Sequence, residues 1–121
     1  MPMPSTSNKI KAFHALHQAG CFVMPNPWCL GSAKALENSG FKALASTSAG
    51  LAWAKGRADG QVTLEETLSH LQELASFSSL PINADFESGF AANPEEVYKN
   101  VTLATQTGIA GLSIEDSTGN S

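Results

Sequence analysis

Charge is sparse in this chain of 121 residues: Asp, Glu, Lys and Arg together make 15 %, and only seven residues are basic. Those seven are scattered, so no stripe exists to neutralise successive phosphates. With a net charge of −4, nucleic acid is excluded as an expected partner. Long apolar runs are also missing. None approaches the roughly 20 residues a membrane-spanning helix requires, so no membrane partner is expected. The first eight residues carry no basic patch ahead of an apolar stretch, which speaks against a secretory signal. Cysteine is limited to Cys21 and Cys29, too far apart for a C-x-x-C metal pair and too few for a disulfide framework. Both fit reduced thiols, and a cytoplasmic location is expected. Low-complexity tracts and repeats of fixed length are absent as well. The 42 % hydrophobic content points to a folded, globular chain.

What is present is an alternation of short apolar runs and amphipathic stretches. Residues 1–8, rich in Pro, Ser and Thr, are expected to form a flexible leader, and residues 9–121 the folded part. In residues 9–18, Ile10, Ala12, Phe13 and Leu16 recur at helical spacing, and Gly20 stops that helix. The run 21–24, closed by Pro25-Asn26-Pro27, predicts a buried strand in which Cys21 would be an inert thiol. Residues 28–39 predict a second helix, 43–45 a second strand, and 51–55 a helical turn. Thr63, with Glu66 three residues on, has the form of a capping box that opens a helix running to about residue 76. Residues 81–85 predict a third strand. Asn93 as N-cap and Pro94 at the first helical position open the next helix, with Val97, Val101, Leu103 and Ala104 facing inward. Gly108 ends it before a fourth strand at 110–114.

Apolar strands alternating with helices predict an α/β fold with a parallel sheet. Two architectures fit: a doubly wound open sheet, and about four units of a (β/α)8 barrel, which takes about 250 residues when complete. In either, ligands collect at the C-terminal ends of the strands. Asp85 and Glu87 end the third strand there, and Glu115 and Asp116 the fourth. Such oxygen-only donors suit Mg²⁺ or Mn²⁺. The competing reading is that they merely cap the helices that follow. The small residues Ser46-Thr47-Ser48-Ala49-Gly50 can offer N–H groups and hydroxyls to a carboxylate or phosphoryl oxygen, or simply connect two elements. Asp59, in a Gly-flanked polar loop, is on its own a turn residue. His14, His17 and His70 fall on helices and are expected at surface or boundary positions. Trp28 and Trp53 are candidates to line a pocket, with packing in the core as the expected default.

Several stretches together resemble the isocitrate lyase and phosphoenolpyruvate mutase superfamily. They are Met24-Pro25-Asn26-Pro27-Trp28, Gly31-Ser32-Ala33 and Thr47-Ser48-Ala49-Gly50-Leu51-Ala52, followed by Ala84-Asp85-Phe86-Glu87-Ser88-Gly89-Phe90 and Ser113-Ile114-Glu115-Asp116-Ser117. The match covers nearly everything beyond the leader. The resemblance implies the N-terminal half of a (β/α)8 TIM barrel of the phosphoenolpyruvate/pyruvate type. It implies a homo-oligomer, often a tetramer that swaps its last helix. It also implies Mg²⁺ (Mn²⁺ in its place) bound directly by Asp85, with Glu87 and Glu115 holding its waters. The N–H groups of Ser46, Thr47 and Ser48 would hold a substrate carboxylate, and Asp59 matches a catalytic aspartate near the mobile loop. The implied enzyme makes or breaks a C–C or P–C bond in a small 2-oxo acid or related carboxylate, through an enolate-type intermediate.

The branch stays open. Lyase members carry a Lys-x-Cys-Gly loop soon after the Glu-Asp pair and often a His two residues before the Glu. Here the positions read Ser117-Thr118-Gly119-Asn120-Ser121 and Ser113. The mutase branch expects a Lys that this loop also lacks, and Cys29 stands where relatives have Asp after Trp. A half-barrel has open strand edges, so the missing C-terminal half is expected as a required complement. The alternative is a non-catalytic ligand-binding or assembly module that a second chain completes.

Overall fold

A computed structural model describes residues 2–119. Five helices and three strands follow in the order α1 (Thr6–Leu16), α2 (Leu30–Asn38), β1 (Leu44–Ala45), α3 (Ser48–Ala54), α4 (Leu64–Phe77), β2 (Ile82–Asp85), α5 (Pro94–Thr105) and β3 (Gly111–Ser113). The strands are parallel and lie in chain order, β1-β2-β3, with Leu44 opposite Ile82 and Asp85 opposite Ser113. Each strand therefore pairs with the next one in sequence. This progression is that of a barrel wall; a doubly wound sheet reverses direction at a switch point.

Helix boundaries follow from local chemistry. Thr63 Oγ1 accepts from Glu66 N (3.1 Å) and Glu66 Oε2 accepts from Thr63 N (3.0 Å), which is the expected capping box at the start of α4. Asn93 Oδ1 accepts from Glu96 N at the start of α5, with Pro94 in the first turn. The helix at the N-terminus begins earlier than the spacing predicts: Ser5 Oγ accepts from Asn8 N (3.1 Å), so residues 6–8 form its first turn instead of belonging to the leader.

The core lies between the sheet and the helices. Leu44, Leu71, Leu74, Ile82, Ala84 and Phe86 are fully buried in one cluster. Thr67, Leu71, Leu74 and Ala75 give α4 one buried face, and α4 packs against α2, α5 and β2. Along β2, Ile82 and Ala84 are buried and Asn83 and Asp85 half-buried. The strand thus alternates, where a continuously apolar strand was expected. A long tether adds to the packing: Lys9 is buried, and its Nζ donates to Ala75 O and Ser78 O (both 2.7 Å). This fastens α1 to carbonyls at the C-terminal end of α4, which that helix cannot satisfy itself. Glu37, from α2, accepts from Ser79 N (3.0 Å) and from the Ser78 and Ser79 hydroxyls at the same corner.

Two expectations are corrected. Residues 21–27 form no strand. Pro25 and Asn26 meet β1 through Ala45 N donating to Pro25 O (3.1 Å) and Asn26 Nδ2 donating to Ala45 O (3.1 Å). Pro25 and Pro27 have no N–H to extend the ladder, so pairing stops there. Cys21 is consequently an exposed free thiol, and Val23 is 65 % exposed. Trp28 and Trp53 do not enter the core. They meet edge to face at 5.5 Å with much of each ring exposed. Among the described residues no helix is long and apolar enough to cross a membrane.

The start of α4 supplies a pH prediction. Arg57 Nη1 donates to Glu66 Oε2 at 2.7 Å, and with the Thr63 N–H it holds the Glu66 carboxyl down from 4.5 to about 2. The folded state therefore binds fewer protons here than the unfolded one. The contribution is complete above the unfolded value and fades as pH falls from 4.5 towards 2. The loss of thermal midpoint caused by Glu66→Ala should be largest near neutral pH and shrink steadily across that window. A deficit that stays constant down to acid would contradict the assignment.

Candidate active site at the strand ends

The C-terminal ends of β1, β2 and β3 bring the sequence-singled residues together. Asp85, the last residue of β2, is held from three sides. Its N donates to Ser46 Oγ (2.9 Å), its Oδ2 accepts from Ser48 N (2.9 Å), and its Oδ1 accepts weakly from Glu87 N (3.4 Å). Glu87 follows in a left-handed backbone conformation, φ 51°. Its carbonyl accepts from Glu115 N at 2.8 Å, so the turns after β2 and β3 are tied to each other. Burial raises the Glu87 carboxyl above its ordinary range, and the negative charges of Asp59, Asp85 and Glu115 push it further the same way. Asp59, exposed in the loop between α3 and α4, is among the charges acting on Glu87.

The small-residue segment sits against the same carboxylate. Thr47 is the N-cap of α3, its Oγ1 accepting from Gly50 N (3.1 Å). Ser46 N is used by the sheet, donating to Asn83 O at 2.8 Å, and its buried hydroxyl supports Asp85. Ser48 N is used by Asp85. Of the three amides expected to meet substrate, two thus have partners within the chain. Ser46 acts on the site by placing Asp85. Beside the carboxylates a cleft of about 710 Å³ opens between the start of α5 and residues 114–118, with Phe90, Val97, Ile114 and Glu115 in its wall.

Among the described residues, no three His, Cys, Asp or Glu side chains converge closely enough to enclose an ion unaided. That geometry still fits Mg²⁺, which keeps several waters and takes one or two carboxylates directly. One carboxylate, Asp85, is already oriented, and repelling charges gather around Glu87 where a cation would offset them. Asp116 is exposed, is not among the charges acting on Glu87, and lines the cleft instead. Of the remaining candidates, His14 and His17 are exposed, and His17 Nδ1 lies 2.7 Å from Phe13 O. His70 is half-buried on α4, and burial lowers its pKa. None of the three is at the strand ends.

Sequence reasoning missed Asn100 of α5, whose Nδ2 donates to Gly89 O (2.9 Å) and Phe90 O (3.3 Å). The signal was there: Asn100 is a polar residue spaced three from Val97 and four from Ala104, on the helix's inner side. It also missed Asn83, whose Nδ2 donates to Ser113 Oγ (2.9 Å) across β2 and β3.

Parallel strands in chain order, helices packed over them, and carboxylates gathered at the strand ends define a phosphoenolpyruvate mutase/isocitrate lyase type of barrel, of which this chain forms about half. The family model for phosphoenolpyruvate phosphomutase matches residues 13–121, and the chain belongs to that family. It is similar to a candidate lyase/mutase from Burkholderia cenocepacia J2315, with 42 % identity and a TM-score of 0.92 over 95 % of this chain and 42 % of that one. It is similar to 2,3-dimethylmalate lyase, with 28 % identity and a TM-score of 0.79 over 93 % of this chain and 40 % of that one. An uncharacterized protein of Mycobacterium tuberculosis is 34 % identical over 108 residues, 88 % of this chain. The chain spans 40 % of the length of that curated relative. The relatives thus include lyases and mutases.

Proposed function

We propose that this chain carries the metal-binding and substrate-binding half of a Mg²⁺-dependent enzyme that makes or breaks a C–C or P–C bond in a small 2-oxo acid or related carboxylate. The observation that carries the reading is the pairing of the adjacent strand ends that bear Asp85, Glu87 and Glu115, joined by Glu115 N donating to Glu87 O (2.8 Å), with the charge of Asp59 also acting on the Glu87 carboxyl. Three of these residues come from different strand ends or loops, which helix capping does not require. Asp85 would contact the ion directly, and Glu87 and Glu115 would hold its waters. The ion would supply electrostatic stabilisation of charge developing on the substrate's 2-oxo and carboxylate oxygens.

The chain's own residues do the rest. Ser46 and Ser48 orient Asp85 through the bonds described above. The Ser48 N–H is a donor already suited to a carboxylate, so a substrate carboxylate at this loop would compete with Asp85 for it. Asp59 would serve as the group that exchanges a proton with the substrate. Turnover belongs to the barrel completed by the remaining strands, so binding is the direct test. Calorimetry of the chain with Mn²⁺ should show one site, and pyruvate should bind only once Mn²⁺ is present. Pyruvate binding of equal strength with and without the cation would reject this reading.

A further inference from the structure

Glu87 and Phe90 are the two non-glycine residues with positive φ among the described residues, at 51° and 58°. Both lie in the five-residue turn that leads from β2 towards α5. A side chain held in that region is strained and persists only where the surroundings fix it. The sequence 86–90 offers part of the restraint. Gly89 N donates to Phe86 O (2.9 Å), and the rings of Phe86 and Phe90 meet edge to face at 5.1 Å. Gly89, at φ 87°, lies so near α5 that an added Cβ would come 2.9 Å from Val97 Cγ1. The polar restraint comes from outside the turn. Asn100 Nδ2 reaches up from α5 to both Gly89 O and Phe90 O, two carbonyls that the turn leaves without a ladder partner.

We propose that Asn100 is a positioning residue for Glu87: its amide clamps the 89–90 carbonyls, fixes the left-handed turn, and thereby sets the Glu87 carboxylate and the Glu87 O to Glu115 N bond on which the paired strand ends depend. This role deepens the proposed cation site and rests on that reading for its effect on metal. Asn100 touches neither substrate nor ion in this role. Its influence passes through two backbone carbonyls and one turn.

The test uses the 121-residue chain and two readouts. Asn100→Leu removes the donors at similar volume, Asn100→Asp removes them in an isosteric side chain, and Asn100→Gln retains an amide. In the Leu and Asp variants the Gly89 and Glu115 amides should exchange with solvent faster, while the Ser48 amide, bonded to Asp85, stays protected as in the parent. Mn²⁺ affinity in both should fall by about tenfold, the usual scale for a residue that orients a metal ligand. Asn100→Gln should recover most of both effects. Unchanged exchange at Glu115 would overturn the proposal. So would faster exchange spread evenly over Ser48, Leu44 and Glu115, which is what a merely structural role predicts. If the parent chain binds no Mn²⁺, the cation reading fails, and exchange at Glu115 against Ser48 alone decides the role of Asn100.

Discussion

Replacing Phe86 with alanine is expected to destabilise the chain by about 3–5 kcal/mol, the range for deleting a buried aromatic side chain. Phe86 is fully buried, has the largest volume among the fully buried side chains, and stands between Asp85 and Glu87. Its ring belongs to the main core cluster, and its N donates to Ser113 O (3.1 Å), joining the ends of β2 and β3. A loss of that size is a large share of the stability available to a small domain, about 5–15 kcal/mol in total. Urea titration measures it. Phe77 serves as the control: it is 39 % exposed on α4 with Lys34 Nζ 5.8 Å from its ring centre, and its replacement should cost far less. Equal losses at the two positions would show that the core is not organised around Phe86.

Asp85→Ala should weaken Mn²⁺ binding by at least about 100-fold, since even residues that merely orient a ligand cost 10–100-fold. Asp85 accepts from two backbone N–H groups, which hold its carboxylate in place at the end of β2. Asp116→Ala, by contrast, should bind Mn²⁺ as the parent does. Asp85→Asn accompanies the alanine variant, because it keeps an oxygen for Ser48 N and so separates loss of the ion from loss of the loop. Calorimetry that finds Asp85→Ala and the parent alike would remove Asp85 from the metal site.

The parts of the fold legible in the sequence were those decided within a few residues. Thr63 and Glu66, or Asn93 and Pro94, carry their capping chemistry with them, and the leucines of α4 mark its inner face. The run 21–24 was misread as a strand because apolar residues show hydrophobicity but not whether a ladder can form beside them, and the prolines that follow stop the pairing. Trp28 and Trp53 were placed inside on size alone. For the site, strand-end position marked Asp85, Glu87, Glu115 and Asp116 alike and left helix capping open, and the family resemblance chose the first three as candidates. Strand-end position was not enough to show that Ser46 supports Asp85, or that Glu115 N bonds Glu87 O. Those relations depend on which strand lies beside which. The left-handed turn at Glu87 was hidden for another reason: nothing in a glutamate announces positive φ, and the clamp that holds it sits in the next helix.

The tether from Lys9 to the end of α4 also makes the chain report on its own integrity. Lys9 and Lys11 are two residues apart, yet one amine is buried against backbone carbonyls and the other is exposed. An acylating reagent applied to the native chain should modify Lys11 and spare Lys9. Labelling at Lys9 then counts the molecules in which the first helix has come away, without any probe having to be introduced.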